Sequence, residues 1–360
     1  MRSARLIGKI LTLIGCAVLF LFSDLTVLAL QADLAQAEPI RIGFLDSGVS
    51  VKHLAAAQVT SGENLVFPDS DTADRNGHGT ETVGIVLGSS DGAVPGIFPQ
   101  AIIVPLVCYD RYPSGVAERV TPEQAADAVY RAVDRYGCRV INISLGFSED
   151  NDALRKAIEY AAEHDVLVVA AVGNDNESNP DKVYYPAAYD SVLGVGCAEN
   201  GKVCSFSQRH GVNLVTDSRY ATVSNKNSAD LVLRVGTSYA CAYISGLCAK
   251  LRARNANLTA EEIKAVLYAA AQDIEDTGFD SDSGYGYIPA VFPERYAAVQ
   301  KNDSILTLSR PSTAAGLAVY ARRVGRPRAD FDDVPTAMAL EAVKIPRLYD
   351  GIITALPVVR

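Results

Sequence analysis

Ile40-Arg41-Ile42-Gly43-Phe44-Leu45 runs straight into Asp46-Ser47-Gly48, and this join of an apolar run to a polar glycine turn decides the fold. An apolar run with a single charge is the pattern of a strand buried on both faces, as in a parallel sheet. The pattern returns at residues 101–107, 139–143 and 166–171. Between these runs, residues 122–136 and 152–164 carry apolar positions at helical spacing, and Ser148-Glu149-Asp150 supplies capping oxygens ahead of the second. Leu258-Thr259-Ala260-Glu261-Glu262 opens a further helix, with Thr259 as cap and Glu262 at the capping-box position. Strand and helix in repetition predict an α/β fold: a doubly wound, mostly parallel sheet with helices on both faces. No internal repeat of solenoid period competes with that reading.

The flanks differ from this middle. Arg2, Arg5 and Lys9 form a basic n-region, residues 10–22 an apolar stretch, and Ala35-Gln36-Ala37 a small-x-small cleavage site. Residues 1–37 therefore read as a signal peptide, or as a signal anchor if uncleaved, since residues 10–30 are long enough to span a bilayer. Either way the body is exported. Leu13-Ile14-Gly15-Cys16 fits a lipid-anchored leader less well, because the apolar run continues past the cysteine. Residues 38–299 form the main domain, and 300–360 a small C-terminal extension in which the strand–helix rhythm stops. A net charge of −9 excludes a nucleic-acid surface, which needs clustered cations. The one basic cluster, Arg322, Arg323, Arg326 and Arg328, falls in the extension and reads as a solvated loop.

Seven cysteines are present. Cys197 and Cys204 flank the turn Ala198-Glu199-Asn200-Gly201 and are the best candidates for a disulfide, since a hairpin brings such a pair within reach. Cys241 and Cys248 lie on an apolar helical stretch and suit buried free thiols. No Cys/His spacing matches a zinc site, and no cofactor is expected.

Acyl transfer to a serine needs a hydroxyl beside an imidazole, a carboxylate that orients the imidazole, and donors for the oxyanion. Asp46 directly follows the first strand, Ile40–Leu45. His78 lies in Asn76-Gly77-His78-Gly79-Thr80, and Ser238 in Gly236-Thr237-Ser238-Tyr239-Ala240, ahead of an apolar helix over 241–251. Taken singly, an Asp-x-Gly turn, a loop histidine and a serine N-cap account for these fragments. Together, in the chain order Asp, His, Ser, they match the order known for subtilisin.

Residues 40–295 resemble the subtilase family on five segments in matching order. These are the three above, Val140-Ile141-Asn142-Ile143-Ser144-Leu145-Gly146, and Ala170-Ala171-Val172-Gly173-Asn174. The resemblance implies a subtilisin-like serine endopeptidase in which Ser238 attacks, His78 moves the proton and Asp46 orients His78. It further implies that Asn174 and the Ser238 N–H bind the oxyanion, and that Ser144, Leu145 and Gly146 pair with a substrate held as an extended strand. Gly146, Ala171 and Gly173 would line the pocket for the residue before the cut.

The chain departs from the family at Glu81, where another histidine is usual, and at Tyr239 and Tyr243, which are bulkier than usual and are expected to reshape the cleft floor. Residues 88–94 lack the asparagine-rich calcium loop of secreted members. Asp280-Ser281-Asp282-Ser283-Gly284 offers oxygen ligands for structural calcium but reads better as an acidic turn. Only Glu38 and Pro39 separate the leader from the first strand, so no pro-segment is expected. The competing reading is a non-catalytic peptide-binding protein on the same scaffold.

Overall fold

The computed structural model describes residues 39–290, apart from 56, 57, 113 and 225–230. The leader at 1–37, with Cys16, and the extension at 300–360, with its arginine cluster, lie outside the described residues. In chain order the strands are β1 (Arg41–Asp46), β2 (Glu63–Asn64), β3 (Ile102–Val107), β4 (Tyr109–Arg111), β5 (Ala117–Arg119), β6 (Val140–Ile143) and β7 (Leu167–Ala171). They continue as β8 (Leu193–Glu199), β9 (Lys202–Val203), β10 (Leu214–Asp217), β11 (Arg219–Val223), β12 (Leu231–Val235) and β13 (Tyr287–Ile288).

The central sheet runs β13-β10-β8-β7-β6-β1-β3-β2. Its pairs along that path are parallel, and β9 adds antiparallel to β8. The apolar runs form these strands because both faces are covered: every residue of β7 is buried, and in β1 only Arg41 is exposed. From β1 the chain steps to β3, crosses back to β6, and moves outward through β7, β8 and β10. The winding reverses at the β1–β6 seam, where Ile42 pairs with Val140 and Leu45 with Ile143. Loops leaving the carboxyl ends of these strands diverge there and leave a crevice.

One face carries the helices Pro122–Asp134 and Asp152–Glu163, which pack against each other through alanine-rich sides that include Ala125, Ala128, Ala157 and Ala161. The other face carries His78–Leu87 and Thr237–Arg254. Thr237–Arg254 is buried nearly all round, because it lies between the sheet, the His78 helix and the helix Ala260–Ala270. Reciprocal capping boxes start two helices, Thr121 with Gln124 and Thr259 with Glu262, the second as its sequence predicts. Asp152–Glu163 is capped by Asn151 rather than by residues 148–150: its Oδ1 accepts from the N–H groups of Ala153 and Leu154. Among the described residues, no helix is long and apolar enough to cross a membrane.

The β8–β9 hairpin forms where expected, on an Asn200-Gly201 turn with φ of 54° and 75°. The disulfide expected across it does not. Cys197 and Cys204 are both free and buried, although the Cys204 N–H reaches the Cys197 carbonyl at 2.9 Å. The ladder ends at Ala198 and Val203, so one backbone bond holds the two cysteines side by side, whereas a bridge further needs their Cβ atoms within about 4 Å at a dihedral near 90°. Cys241 and Cys248 are buried free thiols, as predicted. At the Asp280 turn, the carboxylate accepts from Asp282 N–H, Ser283 N–H and the Ser283 hydroxyl, which spends most of its capacity inside the turn. The free state of Cys197 and Cys204 predicts one melting temperature with and without reductant, measured by calorimetry on the purified chain. A drop on adding reductant would reveal a bridge, since losing a native disulfide typically costs about 2–5 kcal/mol.

Candidate active site

Asp46 is the last residue of β1 and is buried, with its carboxylate turned toward the His78 helix. Its Oδ1 accepts from the Ser47 N–H at 2.7 Å and lies 2.7 Å from His78 Nδ1; its Oδ2 accepts from the Thr82 hydroxyl at 3.0 Å. A carboxylate can only accept, so Nδ1 carries a proton and Nε2 is left with the free lone pair. The approach depends on Gly79: a Cβ there would fall 2.2 Å from the Gly48 carbonyl oxygen, so any larger residue would push the helix off the β1 loop. Burial favours a neutral His78, but the charge of Asp46 and its hydrogen bond outweigh that. With smaller contributions from Glu81 and Asp74, they raise the pKa above its ordinary value of 6.5.

The sequence reading missed Asp74. Its carboxylate accepts from the Ser47 hydroxyl at 2.9 Å, from the N–H groups of Asn76, Gly77 and Thr80, and from the Thr80 hydroxyl at 2.6 Å. It thereby joins the loop after β1 to the first turn of the His78 helix. Burial pushes its carboxyl above the usual carboxylate range, against the lowering effect of the Gly77 and Thr80 bonds. The available signal was an aspartate three residues before Gly77, placed to cap the helix that follows.

Ser238 is in the first turn of its helix, not at the cap. The cap is Gly236, with φ 143° and no side-chain bond to the helix. At the positive end of the dipole the Tyr239 and Ala240 N–H groups turn to the Gly236 carbonyl, and among the described residues the Ser238 N–H has no acceptor. Asn174, just past the end of β7, turns its Oδ1 onto the Thr237 N–H at 2.9 Å. A backbone N–H can only donate, so the amide orientation is fixed and Nδ2 faces away from Thr237. Ser238 is also held from the β6 side. The Asn142 amide donates to Ser144 Oγ at 2.9 Å, and the Ser144 hydroxyl reaches the Ser238 carbonyl at 3.4 Å. The buried Asn142 Oδ1 in turn accepts from Ser245 and Cys241 of the same helix.

Asp46 and His78 are thus in direct contact, with Ser238 one residue from Tyr239, whose ring centroid is 5.4 Å from that of His78. No hydrogen bond joins Ser238 Oγ to the imidazole among the described residues. Ser144, Leu145 and Gly146 follow β6 half-buried and outside the ladder. Ala171 ends β7, and the Gly173 N–H donates to Thr237 Oγ1 at 3.3 Å. Of the two tyrosines expected at the cleft floor, only Tyr239 is beside the site. Tyr243, a turn deeper, packs on Tyr220 and bonds the Pro289 carbonyl. Tyr239 is anchored by another departure from the family pattern: its hydroxyl donates to Glu81, which also takes both Nε and Nη2 of Arg234 from β12. Among the described residues, no group of three or more His, Cys, Asp or Glu side chains converges as a metal site.

The sheet order, the flanking helices and the crevice at the winding reversal make the fold subtilisin-like. A family model described as the subtilase family matches residues 38–286, and the chain belongs to that family. Thermitase of Thermoactinomyces vulgaris is 32% identical over 254 residues, 68% of this chain and 86% of thermitase. The thermophilic serine proteinase of Bacillus sp. strain AK1 is 32% identical over 252 residues, but the chain spans only 57% of that protein's length. Among solved structures, fervidolysin of Fervidobacterium pennivorans aligns with a TM-score of 0.66 and 25% identity, covering 76% of this chain and 45% of that one.

The role of Asp74 gives a stability prediction. Asp74→Ala strips the partners from several buried donors, each worth about 1–3 kcal/mol when orphaned. Denaturant unfolding should show a loss of about 3 kcal/mol or more, while Asp74→Asn, which keeps an acceptor oxygen, should lose clearly less.

Proposed function

We propose that this chain is a serine endopeptidase that hydrolyses peptide bonds through an acyl-enzyme on Ser238. The observation that carries the reading is the 2.7 Å contact between His78 Nδ1 and Asp46, beside the turn that bears Ser238. Because Asp46 holds the Nδ1 proton, Nε2 is the base. It takes the proton of Ser238 Oγ as that oxygen attacks the scissile carbonyl, and the bond between them tightens only once substrate is in place. The tetrahedral oxyanion accepts hydrogen bonds from Asn174 Nδ2 and the Ser238 N–H, neither of which has an acceptor among the described residues. A side-chain donor of this kind typically contributes about 10²–10³ in kcat. His78 then gives its proton to the departing amine, and water releases the acyl group by the same steps in reverse roles.

The substrate backbone pairs as an added strand with Ser144, Leu145 and Gly146, whose position outside the ladder leaves them open to it. The leader read at residues 1–37 makes the exported side of a membrane the place of action.

A fluorophosphonate probe should label wild-type chain on Ser238 and fail to label Ser238→Ala or His78→Ala, read by mass spectrometry. A folded wild-type sample that binds peptides yet takes no label would instead make the chain a non-catalytic peptide binder. The base must be neutral to act, and the pKa of His78 is raised. Activity is therefore present at high pH and lost as pH falls, with the midpoint of kcat/KM above 6.5. Glu81→Gln removes one of the raising charges and should move that midpoint to lower pH.

A further inference from the structure

We propose that Tyr184 sets the substrate class of this site, restricting it to peptides whose residue on the acyl side of the cut is glycine or alanine; the inference rests on the peptidase reading above. Two walls meet at Ser238. The segment after β6 touches it through the Ser144 hydroxyl and the Ser238 carbonyl, and the segment after β7 reaches its helix through Gly173 and Thr237. A carbonyl attacked by Ser238, with its oxygen at Asn174 and its backbone along residues 144–146, sends its side chain down between these walls.

That gap is filled. A Cβ on Gly146 would come within 3.1 Å of Tyr184 Cδ1 and 3.2 Å of its Cβ. A Cβ on Gly173 would come within 2.7 Å of Cδ2 and 2.9 Å of Cε2. Opposite edges of one ring therefore abut both walls: a side chain at residue 173 would collide with the ring, and one at residue 146 would crowd it. The ring is also pinned. Its hydroxyl donates to Asp175 Oδ2 at 2.9 Å, and Lys182 Nζ lies 4.8 Å from its centroid. Asp175 is itself fixed by Gln208 at 3.0 Å and Asn179 at 3.1 Å. Next in the chain, Tyr185 exchanges two backbone hydrogen bonds with Phe147, both 2.8 Å, which ties this segment to the first wall. Swinging the ring aside would break the Asp175 bond and strip the ring from its contacts with both walls. The floor is therefore shallow, and a methyl group fits where a larger side chain overpacks. Asp175 is met by Tyr184, Gln208 and Asn179 and its charge is balanced by Lys182 Nζ at 3.7 Å, so the floor selects by size rather than for a basic residue.

The test uses full-length wild-type chain on a peptide library varied only at the acyl-side residue, with fluorophosphonate uptake measured in parallel. The expected result is the highest kcat/KM after glycine and alanine, with phenylalanine and leucine about tenfold lower or more. Tyr184→Ala should raise the phenylalanine-to-alanine ratio by about tenfold or more, and Tyr184→Phe, which keeps the ring, should retain the wild-type order. Labelled wild-type enzyme that prefers phenylalanine, leucine, lysine or arginine overturns the inference. So does a labelled Tyr184→Ala enzyme with the wild-type ratio. Absence of both label and cleavage overturns the peptidase reading itself. The wild-type profile decides the matter even if Tyr184→Ala does not fold.

Discussion

A carboxylate withdrawn from water at the end of a parallel strand must be met by donors, or it will not stay there. Asp46 is met by three: the N–H of the next residue, the hydroxyl of Thr82 and the Nδ1 of His78. Two of the three come from one helix, so burial of the β1 end and orientation of the imidazole are a single event. The winding reversal at β1 and β6 opens the space in which this happens, and Gly79 removes the side chain that would hold helix and loop apart. Asp74 repeats the device on the other side of the turn, collecting donors from Ser47 and from residues 76–80. The pair of aspartates makes the strand-to-helix connection rigid at the point where the proposed chemistry needs it.

The fold was legible because parallel strands covered on both faces leave uninterrupted apolar runs, and the helices between them repeat at a different period. The observed ends differ from the expected ones by a residue or two, as at β1, which includes Asp46 itself. The larger shift is at the helix Thr237–Arg254, which begins before residue 241 because Gly236 is its cap. Asp46, His78, Ser238 and Asn174 stand out because each sits in a short segment whose glycines and neighbours are constrained by the same local geometry. Asp74 does not, since an aspartate ahead of Asn-Gly looks like any turn until its donors are seen. Tyr184 was invisible for a different reason: its partners Gly146 and Gly173 come from other loops, and nothing local marks the contact. At Cys197 and Cys204 the spacing spoke correctly about the hairpin backbone, while both thiols are free, since a bridge needs a side-chain geometry that backbone proximity does not fix. Tyr243 was misplaced because a helical turn separates it from Tyr239, which carries it down onto Tyr220.

Two of the departures from the family pattern, Glu81 and Tyr239, are coupled. Glu81, in the first turn of the His78 helix, receives Tyr239 from the Ser238 helix and Arg234 from β12. One carboxylate thus gathers three elements around the imidazole, and its charge helps set the imidazole's proton affinity.

The Arg234 contact has a mechanical consequence. The side chain of Glu81 is 10% exposed, so its charge is balanced inside the protein rather than by solvent. If the β11–β12 hairpin peeled away, it would take the guanidinium with it and leave that charge with only the Tyr239 hydroxyl and whatever water could reach it, so the opening costs more than fraying of an unattached ribbon. A two-stranded ribbon at the rim would ordinarily fray first and alone. Here its opening is linked to that of the histidine-bearing helix, and the two should exchange their amide protons as one cooperative unit.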